Sequence, residues 1–79
     1  MRTIICDIDG TILFHHGSQR EQVTLDPVVL PGVLEKFHEW DKLGYNIVLI
    51  SGRRESTRKT TESQLRNLGI VYDKLVLGV

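Results

Sequence analysis

Asp7 and Asp9 stand one residue apart, directly after the apolar run Thr3-Ile4-Ile5-Cys6, and Gly10 and Thr11 follow them. The run reads as a β-strand from about Arg2 to Cys6, and its lack of polar alternation predicts cover on both faces. Two carboxylates at the end of such a strand make poor core material. They suit a hard cation and an anionic substrate. A carboxylate can attack phosphorus and form an aspartyl-phosphate. A second carboxyl can protonate the leaving oxygen and later deprotonate water. Magnesium on oxygen ligands would offset the repulsion between carboxylate and phosphate. The plainer alternative is a turn carrying two solvated acids.

Ser51-Gly52-Arg53 follows a second apolar run, Asn46 to Ile50. A hydroxyl and a free backbone N–H near a helix start suit a phosphoryl oxygen, although Ser51 also suits a helix cap. Arg53 or Arg54 adds positive charge there, unless both simply solvate the helix entry. His15 and His16 read as exposed residues of the connection after the first strand.

These groups need elements to hold them. Ile12-Leu13-Phe14 and Val23-Thr24-Leu25 are expected to pair as a hairpin flap around Gly17-Ser18. Pro31-Gly32 opens a helix that places Val33, Phe37 and Trp40 on one face, with Leu34 beside them, and Gly44 stops it. A second helix is expected from Glu55 to Leu68, supported by Glu55–Lys59 and Glu62–Arg66 pairs. Its apolar face is thin: Leu65, Leu68 and threonine methyls. Leu75-Val76-Leu77 reads as a third strand. Strands alternating with helices predict right-handed crossovers and a parallel sheet, with ligands beyond the carboxyl ends of the strands. Asp7 and Asp9 are thus expected at the end of a central strand, with Ser51 on the neighbouring strand end.

The chain has 79 residues, ten basic and ten acidic, and one cysteine. This is the size of one small domain. The balanced charge gives no global field toward nucleic acid or an anionic membrane. No apolar run approaches the roughly 20 residues of a membrane span. The N-terminus lacks the pattern of a signal peptide, and Cys6 has no internal partner, so a reducing cytoplasmic location is expected. Cys6 itself reads as a small apolar strand residue.

Asp7-Ile8-Asp9-Gly10-Thr11 resembles the first motif of the haloacid dehalogenase (HAD) superfamily, Asp-x-Asp-Gly-Thr, and Ser51-Gly52-Arg53 resembles its second. The likeness follows the family's order along the whole chain. It implies an α/β fold: a small Rossmann-like parallel sheet with flanking helices and a flap after the first strand. It also implies a magnesium-dependent phosphate monoester hydrolase without a large cap. In that scheme Asp7 is the nucleophile and a metal ligand. Asp9 is the general acid/base and gives its backbone carbonyl to Mg2+. Thr11, Ser51, Gly52 and Arg53 bind substrate. Sugar phosphates, polynucleotide ends and phosphoproteins all remain open as substrates.

One departure sets a further expectation. The family's third motif supplies a Lys or Arg and its fourth an acidic residue or pair on a later strand. Lys74 precedes the third strand, and no acidic residue follows Asp73. Residues 1–79 therefore resemble the first part of a HAD domain. The chain is expected to be weakly active or inactive by itself and to have its open sheet edge covered by self-association or by a partner. The alternative function is a catalytically incomplete fragment, or an assembly module, that binds phosphate or cation weakly.

Overall fold

The computed structural model describes residues 2–79. Strand β1 (Thr3–Asp7) is followed by a short helix α1 (Gln19–Thr24), helix α2 (Val33–Lys42) and strand β2 (Asn46–Ile50). A single 3₁₀ turn at Glu55–Thr57 leads into helix α3 (Arg58–Asn67), and strand β3 (Lys74–Val76) completes the order. The three strands are parallel, as expected, in the order β1-β2-β3. Cys6 lies opposite Leu49, and Leu49 opposite Leu75. The central strand is thus β2, and β1 lies beside it at an edge, which corrects the expectation of a central first strand.

Parallel register fixes which side chains share a face. Ile4, Cys6, Ile47, Leu49 and Leu75 point one way. The buried cluster takes Ile47, Leu49 and Leu75 from that face and joins them to Phe37 of α2 and Leu65 of α3. Both helices therefore cover the same side of the sheet. The other side carries Thr3, Ile5 and Asp7, and Ile5 is 65 % exposed. This overturns the expectation that β1 is covered on both faces. An apolar run need not mean two buried faces when both helices follow crossovers of the same hand. Cys6 lies on the helix side, where burial pushes its thiol pKa up and keeps it in the inert, protonated form.

The expected hairpin flap is absent. Val23 and Thr24 lie in α1, and the strand-like pairing is made further on. Leu13 bridges Val29 in antiparallel fashion. The amide of Phe14 donates to the Val28 carbonyl and that of Leu30 to the Ile12 carbonyl. The reason is an N-cap at Ser18 that starts a helix there. Ser18 Oγ accepts from the Glu21 amide at 3.2 Å and donates to Glu21 Oε1 at 3.1 Å, closing the first turn of α1. Ser18-Gln19-Arg20-Glu21 carried that signal in the sequence. Elsewhere the elements lie within a few residues of their expected bounds. The expected Glu55–Lys59 pair gives way to Arg58, which bonds Glu55 and reaches Glu62.

Candidate functional site

The two aspartates part company at Ile8. Asp7 ends β1 on the bare face of the sheet. Its Oδ1 accepts the amide of Ile8 at 2.8 Å. Ile8 is wholly buried. Gly10 follows with φ +88°, a left-handed value that a side chain would resist, and this turns the chain back toward Leu13. Asp9 is thereby swung to the inner side, away from Asp7.

Asp7 shares a small cavity of about 200 Å³ with Ile50, Ser51, Gly52 and Val79. Strand pairing accounts for the meeting. Asp7 is opposite Ile50 in register, so Ser51 and Gly52 emerge beside it at the carboxyl end of β2. Ser51 Oγ accepts the Arg53 amide at 3.0 Å, a tight turn that folds the loop over the strand end. The exposed carboxylate, the hydroxyl and the glycine backbone form an open cradle.

Asp9 belongs to a different constellation. Arg53 is only 1 % exposed. Its Nε donates to Asp9 Oδ2 at 3.0 Å and its Nη2 to Asp9 Oδ1 at 2.8 Å, a two-pronged ion pair. Its Nη1 donates to Thr61 Oγ1 at 3.0 Å and to Gln64 Oε1 at 2.7 Å, both on α3. Gln22 of α1, itself 3 % exposed, donates to Asp9 Oδ1 and to the Phe14 carbonyl. Its Oε1 accepts the His16 amide. Gln64 Nε2 closes the ring on the Gln22 carbonyl at 3.0 Å. No buried side-chain nitrogen or oxygen among the described residues lacks a partner. Burial alone would raise the pKa of Asp9. The hydrogen bonds from Arg53 and Gln22, with the charges of Arg53 and His15, outweigh it and hold the carboxyl below the ordinary carboxylate range.

The structure thus brings Asp7, Ser51 and Gly52 together, and Asp9 and Arg53 together. Arg53 faces inward, so neither a solvated helix entry nor an open substrate contact describes it. Thr11 is exposed beside a separate cavity of about 270 Å³ that includes Cys6, Lys36 and Trp40. His15 is exposed, as expected, whereas His16 is half-buried. Gln22, Thr61 and Gln64 are the participants that sequence reasoning missed. For a cation, this cavity offers the exposed carboxylate of Asp7, one oxygen of which accepts the Ile8 amide. Among the described residues no cluster of three or more His, Cys, Asp or Glu side chains is placed to hold a metal. The set still suits magnesium, which commonly binds one or two carboxylates and takes its remaining ligands from water and phosphate.

The family model of the polynucleotide kinase PNKP phosphatase domain matches residues 1–76. The chain belongs to this family. The PNKP phosphatase-domain match agrees with the HAD likeness of the two motifs. No curated protein matches the chain. Among solved structures, a chain of a Pnkp1/Rnl/Hen1 complex is 27 % identical with a TM-score of 0.82, over 96 % of this chain and 27 % of that one. A structural-genomics protein from Vibrio cholerae superposes with a TM-score of 0.76 at 23 % identity, covering 99 % of this chain and 70 % of that one. The D,D-heptose 1,7-bisphosphate phosphatase from B. bronchiseptica, complexed with magnesium and phosphate, superposes at 0.63 and 19 % identity, over 98 % and 49 % of the two chains. The last two likenesses show the fold. The chain spans about a quarter of the length of the Pnkp1 complex chain it resembles.

Proposed function

We propose that this chain carries the nucleophile, the acid/base group and the phosphoryl cradle of a magnesium-dependent phosphate monoester hydrolase acting on phosphorylated polynucleotide ends. The observation that carries the reading is the convergence of Asp7, Ser51 and Gly52 on one cavity at the carboxyl end of the sheet. Family membership supports the substrate class. An exposed Asp7 carboxylate is free to attack the phosphorus of a phosphoryl group seated on the Ser51 hydroxyl and nearby backbone N–H groups. The bond to the leaving oxygen breaks as the aspartyl-phosphate forms. Asp9 is the acid/base group by its place in the motif; held ionised by Arg53 and Gln22, it takes a proton from the water that releases phosphate, and the leaving oxygen takes its proton from solvent. Arg53 and Gln22 act as positioning residues, fixing the Asp9 carboxylate from two sides. Asp7 and the Asp9 carbonyl are the groups that would hold Mg2+, which supplies charge neutralisation when bound.

The test is magnesium-dependent release of inorganic phosphate from an aryl phosphate and from oligonucleotides phosphorylated at either end. Asp7→Asn should abolish it, because an amide is a poor nucleophile. Release by Asp7→Asn at the parent rate overturns the nucleophile assignment.

A second reading, phosphate and cation binding with little turnover, is favoured by the donor set, since among the described residues no cluster of three or more His, Cys, Asp or Glu side chains is placed to hold a metal, and by the bare face around Ile5. It predicts magnesium-enhanced binding of inorganic phosphate without hydrolysis. It also predicts a solution mass above that of one 9.0 kDa chain, as the bare face is covered.

A further inference from the structure

Beside the cradle lies a second cavity, of about 450 Å³, lined by Gln19, Arg20, Val23, Arg54, Ser56 and Thr57. Two guanidinium groups from distant parts of the sequence share it, with polar neighbours, and no carboxylate lines it. Both arginines are exposed. The four ion pairs among the described residues join Lys36–Glu39, Arg53–Asp9, Arg58–Glu55 and Arg58–Glu62, and neither Arg20 nor Arg54 enters one. The cavity is tied to the cradle. Gln19 Nε2, on its wall, donates to the Gly52 carbonyl at 3.1 Å, and Gly52 lines the Asp7 cavity. Arg54 follows directly on Arg53, which the Asp9 network holds in place.

We infer that Arg20 and Arg54 form a second anion subsite, which takes the next phosphodiester of a nucleic-acid strand whose terminal phosphate sits at Asp7 and Ser51. The inference rests on the phosphatase reading above and adds to it the groups that read the strand. Arginine suits the task because its planar fork meets two phosphate oxygens at once and stays charged at any working pH. The chain's zero net charge offers no general attraction for polyanions. Two arginines outside the ion pairs of the described residues give a local one, in a concavity joined to the cradle by the Gln19–Gly52 hydrogen bond. The Thr57 hydroxyl bonds the Arg54 carbonyl at 2.7 Å, which fixes the turn that presents Arg54. Ser56 and Gln19 add neutral polar groups to the wall. A second phosphate also occurs in small bisphosphates, so the same chemistry has two sources, and the strand is the one that family membership favours.

The experiment is binding, read by fluorescence anisotropy with magnesium present, so that turnover is not required. The probe is a labelled short oligothymidylate carrying a terminal phosphate, titrated at several salt concentrations. Competitors are the same strand without the terminal phosphate, a nucleoside bisphosphate and inorganic phosphate. Arg20→Gln/Arg54→Gln should weaken strand binding and flatten the log–log salt slope by about 0.7, the value for the one phosphate contact that the pair shares. Competition by inorganic phosphate for the cradle should be unchanged relative to strand affinity. Lys42→Gln/Arg66→Gln removes the same charge at the far end of the helices and should leave the slope alone. Thermal melting checks that each variant folds, which two exposed, unpaired arginines lead us to expect. The inference is overturned if the parent chain does not bind the strand. It is also overturned if both double variants lose affinity equally, or if the nucleoside bisphosphate binds as tightly as the strand and loses as much on Arg20→Gln/Arg54→Gln. Failure of the phosphatase reading is seen separately, as absence of magnesium-dependent aryl phosphate hydrolysis.

Discussion

Asp7 and Asp9 are separated by one residue and live in opposite worlds. Asp7 stands on the bare side of the sheet, exposed, with one oxygen on its neighbour's amide and the other free. Asp9 is clasped by a buried arginine and a buried glutamine and tied through them to α1 and α3. One half of the site is open and contributes little to folding. The other is a closed polar network on which folding is expected to depend. One motif thus sets its two carboxylates in different surroundings, Asp7 open to the cavity at the strand end and Asp9 locked in a polar network.

The sharpest way to break the closed half is Arg53→Met. It leaves Asp9 buried without its cation, and Thr61 and Gln64 without a donor. Removing one partner of a buried pair costs about 3–5 kcal/mol, enough to unfold a small domain of marginal stability. Urea unfolding followed by circular dichroism reads it. A second change, Asp9→Leu, made in the Arg53→Met background, should recover part of the loss, since replacing both partners by apolar groups is often close to neutral. A double variant as unstable as Arg53→Met alone would show that the arginine acts through Thr61 and Gln64 rather than through Asp9.

Gln22→Ala should come next. It removes one donor from Asp9 and leaves the Phe14 carbonyl and the His16 amide without their side-chain partner, a loss of about 1–3 kcal/mol. The same variant should detach α1 from the sheet end, seen as faster amide hydrogen exchange over Gln19–Thr24 than over α3. Equal protection in the two helices would mean that α1 is held by other contacts. Acidification probes the network from the proton side. The Asp9 pKa is lower folded than unfolded, so its contribution is complete above the unfolded value of about 4 and is lost as pH falls through the folded value. Asp9→Asn should remove that part of the acid sensitivity of the unfolding midpoint.

The open half was legible in the sequence, and the closed half was not. Apolar runs ending at Asp7 and at Ile50 located the strand ends, and parallel pairing then forced Asp7 and Ser51 together. The network depends on polar residues that look solvent-facing when read singly. Its trace was the thin apolar face of α3. Thr61, Gln64, Leu65 and Leu68 fall on one helical stripe, and the two polar members stand where a core helix would carry leucines. Such a stripe signals a buried polar partner, and Arg53 is that partner. The helix α1 was hidden for a different reason. Its six residues give too little periodicity to outweigh the β-branched Val23 and Thr24, and only the Ser18–Glu21 box marks its start. Ser18→Ala should accordingly cost about 1 kcal/mol, less than Gln22→Ala, because a cap at the edge of the molecule is partly replaced by water.

The smallest effect on stability is expected where the chemistry is greatest. Asp7→Asn keeps the side chain's size and leaves an amide oxygen to accept the Ile8 amide. It also removes a negative charge from an exposed position that has no ion-pair partner among the described residues. Nothing folded depends on that charge, so the unfolding free energy should stay within about 0.5 kcal/mol of the parent, as for other exposed substitutions. The same change should abolish magnesium-enhanced phosphate binding and any turnover, since the proposed nucleophile and the carboxylate proposed to hold the cation are lost together. Measured side by side, Arg53→Met and Asp7→Asn should then invert: one unfolds the domain, and the other leaves a well-folded domain without its cradle function. A large destabilisation by Asp7→Asn would place Asp7 in the folded framework beside Asp9 and remove the distinction between the two halves.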